Sequence, residues 1–252
     1  MMAQHSMTLR KVFWSIAAWV AMLALPVFLL TANLRLVTDS PWLYQYGFPA
    51  FDSPGRTGLP LEELLSAASH TRRYFNSNEE PLNVMVDKGG IQAPLYNDRE
   101  IKHMADVKQI FRLAQRVEEV SSAYLLAFAG AGLWLLKRRF LPDLFWAATS
   151  GGLLTVALVI IAGAGALVDF DRLFIEFHLL SFSNDLWQLD PRRDYLIMMY
   201  PEGFFQAAAL VIAALSFTEG AGIATVAWAA GARLRTPTPT NRAPSVSEGP
   251  TG

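Results

Sequence analysis

Cysteine is absent from the 252 residues. Its absence excludes structural disulfides, thiolate metal centres and a thioacyl-enzyme, and leaves the redox compartment open. Charge is thin as well: 17% of residues carry it, against about 25% in soluble domains. Neither sign dominates, the formal net charge being −1, so no nucleic-acid partner is expected. Only 4 histidines occur. What fills the chain instead is apolar, 52% of it, gathered into long runs.

A helix needs roughly 20 mostly apolar residues to cross a bilayer core. Four runs meet that, at 12–34, 119–136, 144–168 and 204–230. The second is short in its Gly/Ala-rich part from Ser121, and Val117 and Val120 extend it. Glu219 is the one charge within the cores of these runs, where it faces the bundle or nears the interface. Helices satisfy their own backbone in lipid, so the fold class expected is an all-α integral membrane protein with four transmembrane helices. The first run is longer than a signal-peptide core and no A-x-A site follows, so it is expected to persist as a helix, kinked at Pro26.

Short-loop positive charge gives the orientation. Arg10 and Lys11 precede the first run, Lys137, Arg138 and Arg139 fill the turn at 137–143, and Arg233 and Arg235 follow the fourth. All three clusters fall on one side. Residues 1–11, the turn and the Pro/Ser/Thr-rich tail at 231–252 are therefore expected to be cytoplasmic, the tail disordered. Segments 35–118 and 169–203 are extracytoplasmic in this reading.

The longer segment reads as a small α+β unit. Leu61 to Phe75 has helical apolar spacing, and two short strands at 82–86 and 91–95 flank an Asp87-Lys88-Gly89-Gly90 turn. Asn97 and Glu100 form a capping-box pattern that opens a helix. On it His103, Asp106, Val107 and Ile110 share one face, so Asp106 can orient or ionise His103. The shorter segment predicts an amphipathic helix lying along the membrane surface, capped by Asp171, with Phe174, Phe177 and His178 on one face. A loop with Asn184, Asp185, Trp187, Asp190 and Asp194 follows, and a helix restarts near Tyr195.

His5 lies in the N-terminal tail and His70 beside Arg72 and Arg73, both positions without chemistry. His103 and His178 each sit in an apolar helical pattern near a carboxylate. With Asp106, Asp171 or Glu176 they have the donor types of a metal site, but metal-ligand spacing is absent, so no metal is expected. Ser181 and Ser183 lack a G-x-S-x-G elbow. Met198 and Met199 read as packing, as do Gly163, Gly165 and the GAGLWLL run.

The run from Asn97 to Lys108, together with Phe174 to His178, Asn184 to Trp187, Leu189 to Pro191 and Tyr200 to Phe205, resembles the lipoprotein intramolecular transacylases, bacterial integral membrane proteins. The resemblance spans nearly all of the chain outside its two ends. It implies an enzyme of the bacterial plasma membrane, without a cofactor. Such an enzyme moves the sn-2 acyl chain of a diacylglyceryl-cysteine lipoprotein onto that cysteine's α-amino group, leaving a lyso-form lipoprotein. The partners implied are the diacylglyceryl-modified lipoprotein and membrane lipid. His103 and His178 become the catalytic pair in this reading, one as base and acid, the other as oxyanion donor. Asp106, Asn184, Trp187 and Asp190 support the site or hold the substrate. Two other classes compete: a membrane scaffold working through its loop segment, which would tolerate loss of both histidines, and a transporter, which would carry more polar residues within the helices than Glu219.

Overall fold

The computed structural model describes residues 2–235, with side chains from 10 to 234. The tail beyond Arg235 and the side chain of His5 lie outside the described residues, and so does the expectation of tail disorder.

Helices α1 (Met2–Asp39), α5 (Asp98–Leu136), α6 (Leu141–Val168) and α9 (Glu202–Arg235) make the body of the molecule. Three stretches are long and apolar enough to cross a bilayer: Arg10–Asp39, Asp98–Val168 and Glu202–Leu234. The middle one, 71 residues, would measure roughly 100 Å as a single helix, several times a bilayer core. It is divided by a 3-10 turn at Lys137–Phe140, where Lys137 adopts a left-handed φ of 54°. Pro26 lies inside α1 without ending it.

Each long helix buries one stripe and exposes an apolar one. In α1 the buried stripe is Trp14, Ala18, Ala21, Leu29, Asn33 and Val37, while Phe13 is 63% exposed; Trp134, Ile161 and Trp228 are exposed on α5, α6 and α9. Exposed apolar surface on this scale marks lipid contact. Where α6 and α9 cross, the backbones nearly touch: a Cβ on Gly152 would come within 2.5 Å of the Gly220 carbonyl oxygen. Small residues permit such approach. The sequence reading placed packing at Gly163, Gly165 and the GAGLWLL run, which holds for Gly132 and not for Gly163 or Gly130. Gly163 and Gly130 have open space beside them, Gly165 meets only the Leu173 side chain, and Gly132 makes room for the Phe140 ring.

Over one end of the bundle lies a cap with its own core, built on Phe48, Leu64, Tyr74, Val86, Leu95, Met199 and Phe204. It contains α2 (Pro41–Ala50), α3 (Ser53–Thr57) and α4 (Leu61–Phe75). It also contains the antiparallel pair β1 (Met85–Asp87) and β2 (Gln92–Pro94) and the short α8 (Tyr195–Met199). Helix α7 (Phe170–Ser181) follows α6. The strands are shorter than expected from 82–86 and 91–95. Val86 pairs with Ala93 and Asp87 with Gln92, around Gly89 and Gly90 at φ of 69° and 90°. Helices α2 and α3 were not among the expected elements; Gly47 and Pro49 lower the local helix propensity of α2, while Pro41 suits its first position. Tertiary packing decides here: the Phe204 ring occupies the space a Cβ on Gly47 would need.

Candidate functional site

The site begins with the N-terminus of α5. The Asn97 side chain accepts from the amides of Arg99 and Glu100, and the Glu100 carboxylate accepts from the Asn97 amide at 2.7 Å. This reciprocal cap satisfies donors that a helix start otherwise leaves unpaired. The cap also reaches outward. The other Glu100 oxygen accepts from the Leu196 amide at 2.6 Å, and Asn97 donates to Asp194 at 2.9 Å. Asp194 in turn accepts from the Asp190 amide at 2.7 Å. Glu100 and Asp194 are 0% and 1% exposed. Burial raises the Glu100 carboxyl above its ordinary value, opposed by the two amide hydrogen bonds. The start of α5 and the loop 184–196 are thus clamped together.

One turn beyond the clamp stands His103, and α7 brings His178 beside it. Helix α7 is capped by Asp169, which accepts from the Arg172 amide, rather than by Asp171 as the sequence suggested. The difference is a two-residue earlier start. His103 and His178 are both buried, with ring centroids 6.1 Å apart. Aromatic rings enclose them: Phe174 and Trp187 lie 4.3 and 4.9 Å from His178, and Phe182 lies 5.1 Å from His103.

The two imidazoles differ in their bonding. His178 Nδ1 is 2.6 Å from the Phe174 carbonyl oxygen. A carbonyl only accepts, so Nδ1 carries the proton and the lone pair of the neutral ring sits on Nε2. His103 Nδ1 is buried without a hydrogen-bond partner. Burial lowers the pKa of both rings. His103 falls to about 4, through desolvation first and then the nearby His178 and Arg99, with Asp106 opposing. His178 falls too, opposed by its bond to Phe174. At neutral pH both rings are therefore uncharged.

The other expected residues divide. Asn184 and Asp106 meet: Asn184 donates to the Asp106 carboxylate at 2.9 Å. Asp106 makes no hydrogen bond to His103 and acts on it through charge alone. Trp187 packs on His178. The carboxylate of Asp190 is held by Arg192 through two 3.0 Å bonds, which draw its pKa down to about 2. Its backbone, rather than its charge, joins the clamp. His70 is exposed and bonded to its own helix at the Ser66 carbonyl. Glu219 accepts from Asn33 at 2.7 Å, a contact between α9 and α1 remote in sequence from the histidines. Among the described residues no cluster has the makings of a metal site.

Two residues escaped sequence reasoning. Arg99 donates to the Asp185 carbonyl and lies one helical turn before His103; its i, i+4 spacing was a usable signal. Phe182, which touches both histidines, closes α7 and carried no signal.

Long apolar helices with two uncharged, buried imidazoles beside the end of the bundle define a membrane-integral protein equipped for proton transfer. The family follows from comparison with known proteins. Residues 19–205 match the model of the family described as Lipoprotein intramolecular transacylase Lit, and the chain belongs to that family. It is a membrane-integral acyltransferase of the lipoprotein intramolecular transacylase class. An uncharacterised protein of Aquifex aeolicus (strain VF5) is 31% identical over 168 residues, 66% of this chain and 71% of that one. The fold is shared with the Bacillus cereus Lit transacylase at 22% identity and a TM-score of 0.71, over 89% of this chain and 96% of that one. A form of the same Bacillus cereus protein with one histidine replaced by alanine superposes at 0.71, with 19% identity, over 91% and 99%.

Proposed function

We propose that the chain transfers the sn-2 acyl group of a diacylglyceryl-cysteine lipoprotein to the α-amino group of the same cysteine. The observation that carries the reading is the pairing of His103 and His178 at 6.1 Å, both buried. In the reaction the amine nitrogen attacks the ester carbonyl. A C–N bond forms, the bond from acyl carbon to glyceryl oxygen breaks, and one proton passes from nitrogen to that oxygen. Nε2 of His178 is free to take it and return it, since Nδ1 is committed to Phe174. His103, 6.1 Å from His178, is placed to serve as the second group, its neutral imidazole N–H donating to the tetrahedral oxyanion. Asp106 and Asn184 hold the loop against α5, and Trp187 fixes the plane of His178.

Attack closes a ring of about eight atoms, which is improbable unless the substrate is held folded. The aromatic enclosure of Phe174, Phe182 and Trp187 suits that holding and keeps water out. No acyl-enzyme is required.

We place the site at the outer face of the bacterial plasma membrane. Crossings at 12–34, 119–136, 144–168 and 204–230 put both termini and the Lys137–Phe140 turn in the cytoplasm, by the positive-inside rule. Segments 35–118 and 169–203 then face outward, with α7 lying in the interface: Leu179 and Leu180 are exposed while His178 is buried. The substrates are diacylglyceryl-modified lipoproteins reached from the surrounding lipid.

The test is mass spectrometry of lipoprotein N-termini from cells that express His103→Ala or His178→Ala at normal levels. Loss of a positioned acid–base group slows turnover by about 100- to 10,000-fold, so lyso-form product should disappear in each. Undiminished product in either would remove that histidine from the mechanism.

A further inference from the structure

A polar cavity of about 300 Å³ lies away from the histidines. It is bounded on one side by Arg112, Gln115, Arg116 and Glu119 of α5, and on the other by Asn76 and Asn78 after α4. Arg112 follows His103 by nine residues, two and a half turns, so it sits on the opposite face of α5 and roughly 14 Å along it. The cavity is therefore separate from the catalytic pair. Nothing in the transacylase chemistry uses it.

Its donors are set in place. Arg112 donates through one nitrogen to the Ser77 carbonyl and the Asn78 side chain, at 2.8 and 2.9 Å. Among the described residues it forms no ion pair. Arg116 pairs with Glu119 at 2.9 Å, but the side chains are 79% and 54% exposed, and surface pairs of this kind hold weakly. Gln115 donates to Asn76 at 3.0 Å. The other carboxylates near the cavity are taken: Glu118 by Arg35, and Glu80 by Lys108. The cavity thus offers two guanidinium groups on successive turns against a single carboxylate.

Depth and neighbours say what would occupy it. Residue 119 begins the apolar run of α5, so the arginines lie at headgroup level in the membrane placement proposed above. On the membrane side of them, Val120 is 69% exposed at the start of the apolar run, where acyl chains lie. We propose that this cavity binds the phosphodiester headgroup of an anionic phospholipid, with Arg112 and Arg116 on the phosphate and the tails running past Val120 into the bilayer. Arginine suits phosphate because its planar fork donates in pairs and is weakly hydrated. The bound lipid would brace the cap against α5, opposite the face where substrate enters. The inference rests on the membrane placement and not on the acyl-transfer chemistry.

Native mass spectrometry of the full chain in detergent tests it, with phosphatidylglycerol offered against diacylglycerol, which has the same tails without phosphate. Wild type should retain phosphatidylglycerol about tenfold better, the worth of one charge-assisted hydrogen bond. Arg112→Gln/Arg116→Gln should bring the ratio to parity, and Arg138→Gln in the turn should leave it unchanged. Glu119→Gln, which removes the competing carboxylate, should raise retention; it keeps the test valid if the double variant fails to fold. Added glycerol phosphate identifies the source: displacement of the lipid means that a soluble phosphate binds too, and no displacement means that the tails are required. Equal retention of the two lipids by wild type, or a preference that survives in a folded double variant, would overturn the proposal.

Discussion

His178 has one ring nitrogen already committed, and that bond decides what the other can do. With Nδ1 on the Phe174 carbonyl, Nε2 is the basic atom at neutral pH. Burial holds both rings below the ordinary histidine value of about 6.5. They stay in the form that accepts protons until the medium is clearly acidic. The substrate's α-amine, near 8 in its free state, must also be neutral to attack. kcat/KM should therefore climb with the amine to a plateau near about pH 8, and the steeper second-proton fall should come only well below about pH 6.5, because burial delays protonation of the histidines. Measured rates with a second proton already limiting above neutrality would contradict the buried, depressed state of the pair. The same shift bears on stability. A folded value under the unfolded one means that His103's contribution is complete above about pH 6.5 and is lost as pH falls toward 4. The histidines were legible as residues because each sits in an apolar helical pattern on the same side. What Asp190 does in the loop was not legible: its carboxylate is held by Arg192, and its backbone amide donates to Asp194.

At the scale of elements, α5 does two jobs within one helix. Its first turns carry the cap, the clamp and His103, and its last turns are apolar enough to cross the bilayer. Any shift of the clamp is passed to His103 along a rigid rod. Glu100→Ala would leave the buried amide of Leu196 without an acceptor, at about 1–3 kcal/mol, and would open the cap at the more exposed Asn97 amide. The variant should show a lowered Tm in a thermal scan, and Glu100→Gln should recover part of the loss because it keeps one acceptor. A Glu100→Ala protein as stable as wild type would deny the clamp its role. Gly152→Val tests the crossing of α6 and α9, since its Cβ would meet the Gly220 carbonyl. Little folded protein should be recovered from membranes, whereas Gly163→Val, with open space beside it, should be tolerated. The capping box was legible because its two residues are three apart in sequence. Helices α2 and α3 were not, because the Phe204 ring that requires Gly47 lies far along the chain, and a local reading sees only the low helix propensity of Gly47 and Pro49.

For the whole molecule, hydropathy outlined the long apolar helices, while the cap's core is made of contacts between distant segments and was visible only in outline. The absence of cysteine makes the orientation easy to measure. Gln92→Cys on the hairpin and Arg138→Cys in the turn introduce one thiol each into a chain that has none. In intact spheroplasts a membrane-impermeant maleimide should label the first and reach the second only after lysis. The reverse pattern would turn the site inward and end the proposed placement. The central claim is that one substrate molecule supplies both the acyl group and the amine. The most direct measurement gives purified enzyme a mixture of two synthetic diacylglyceryl lipopeptides, one isotopically labelled in both its sn-2 acyl chain and its peptide, the other unlabelled. Mass spectra should show labelled acyl on the amine of labelled peptide only, with the sn-1 chain untouched. Label crossing to the unlabelled peptide, or an N-acyl group derived from the sn-1 position, would contradict the account.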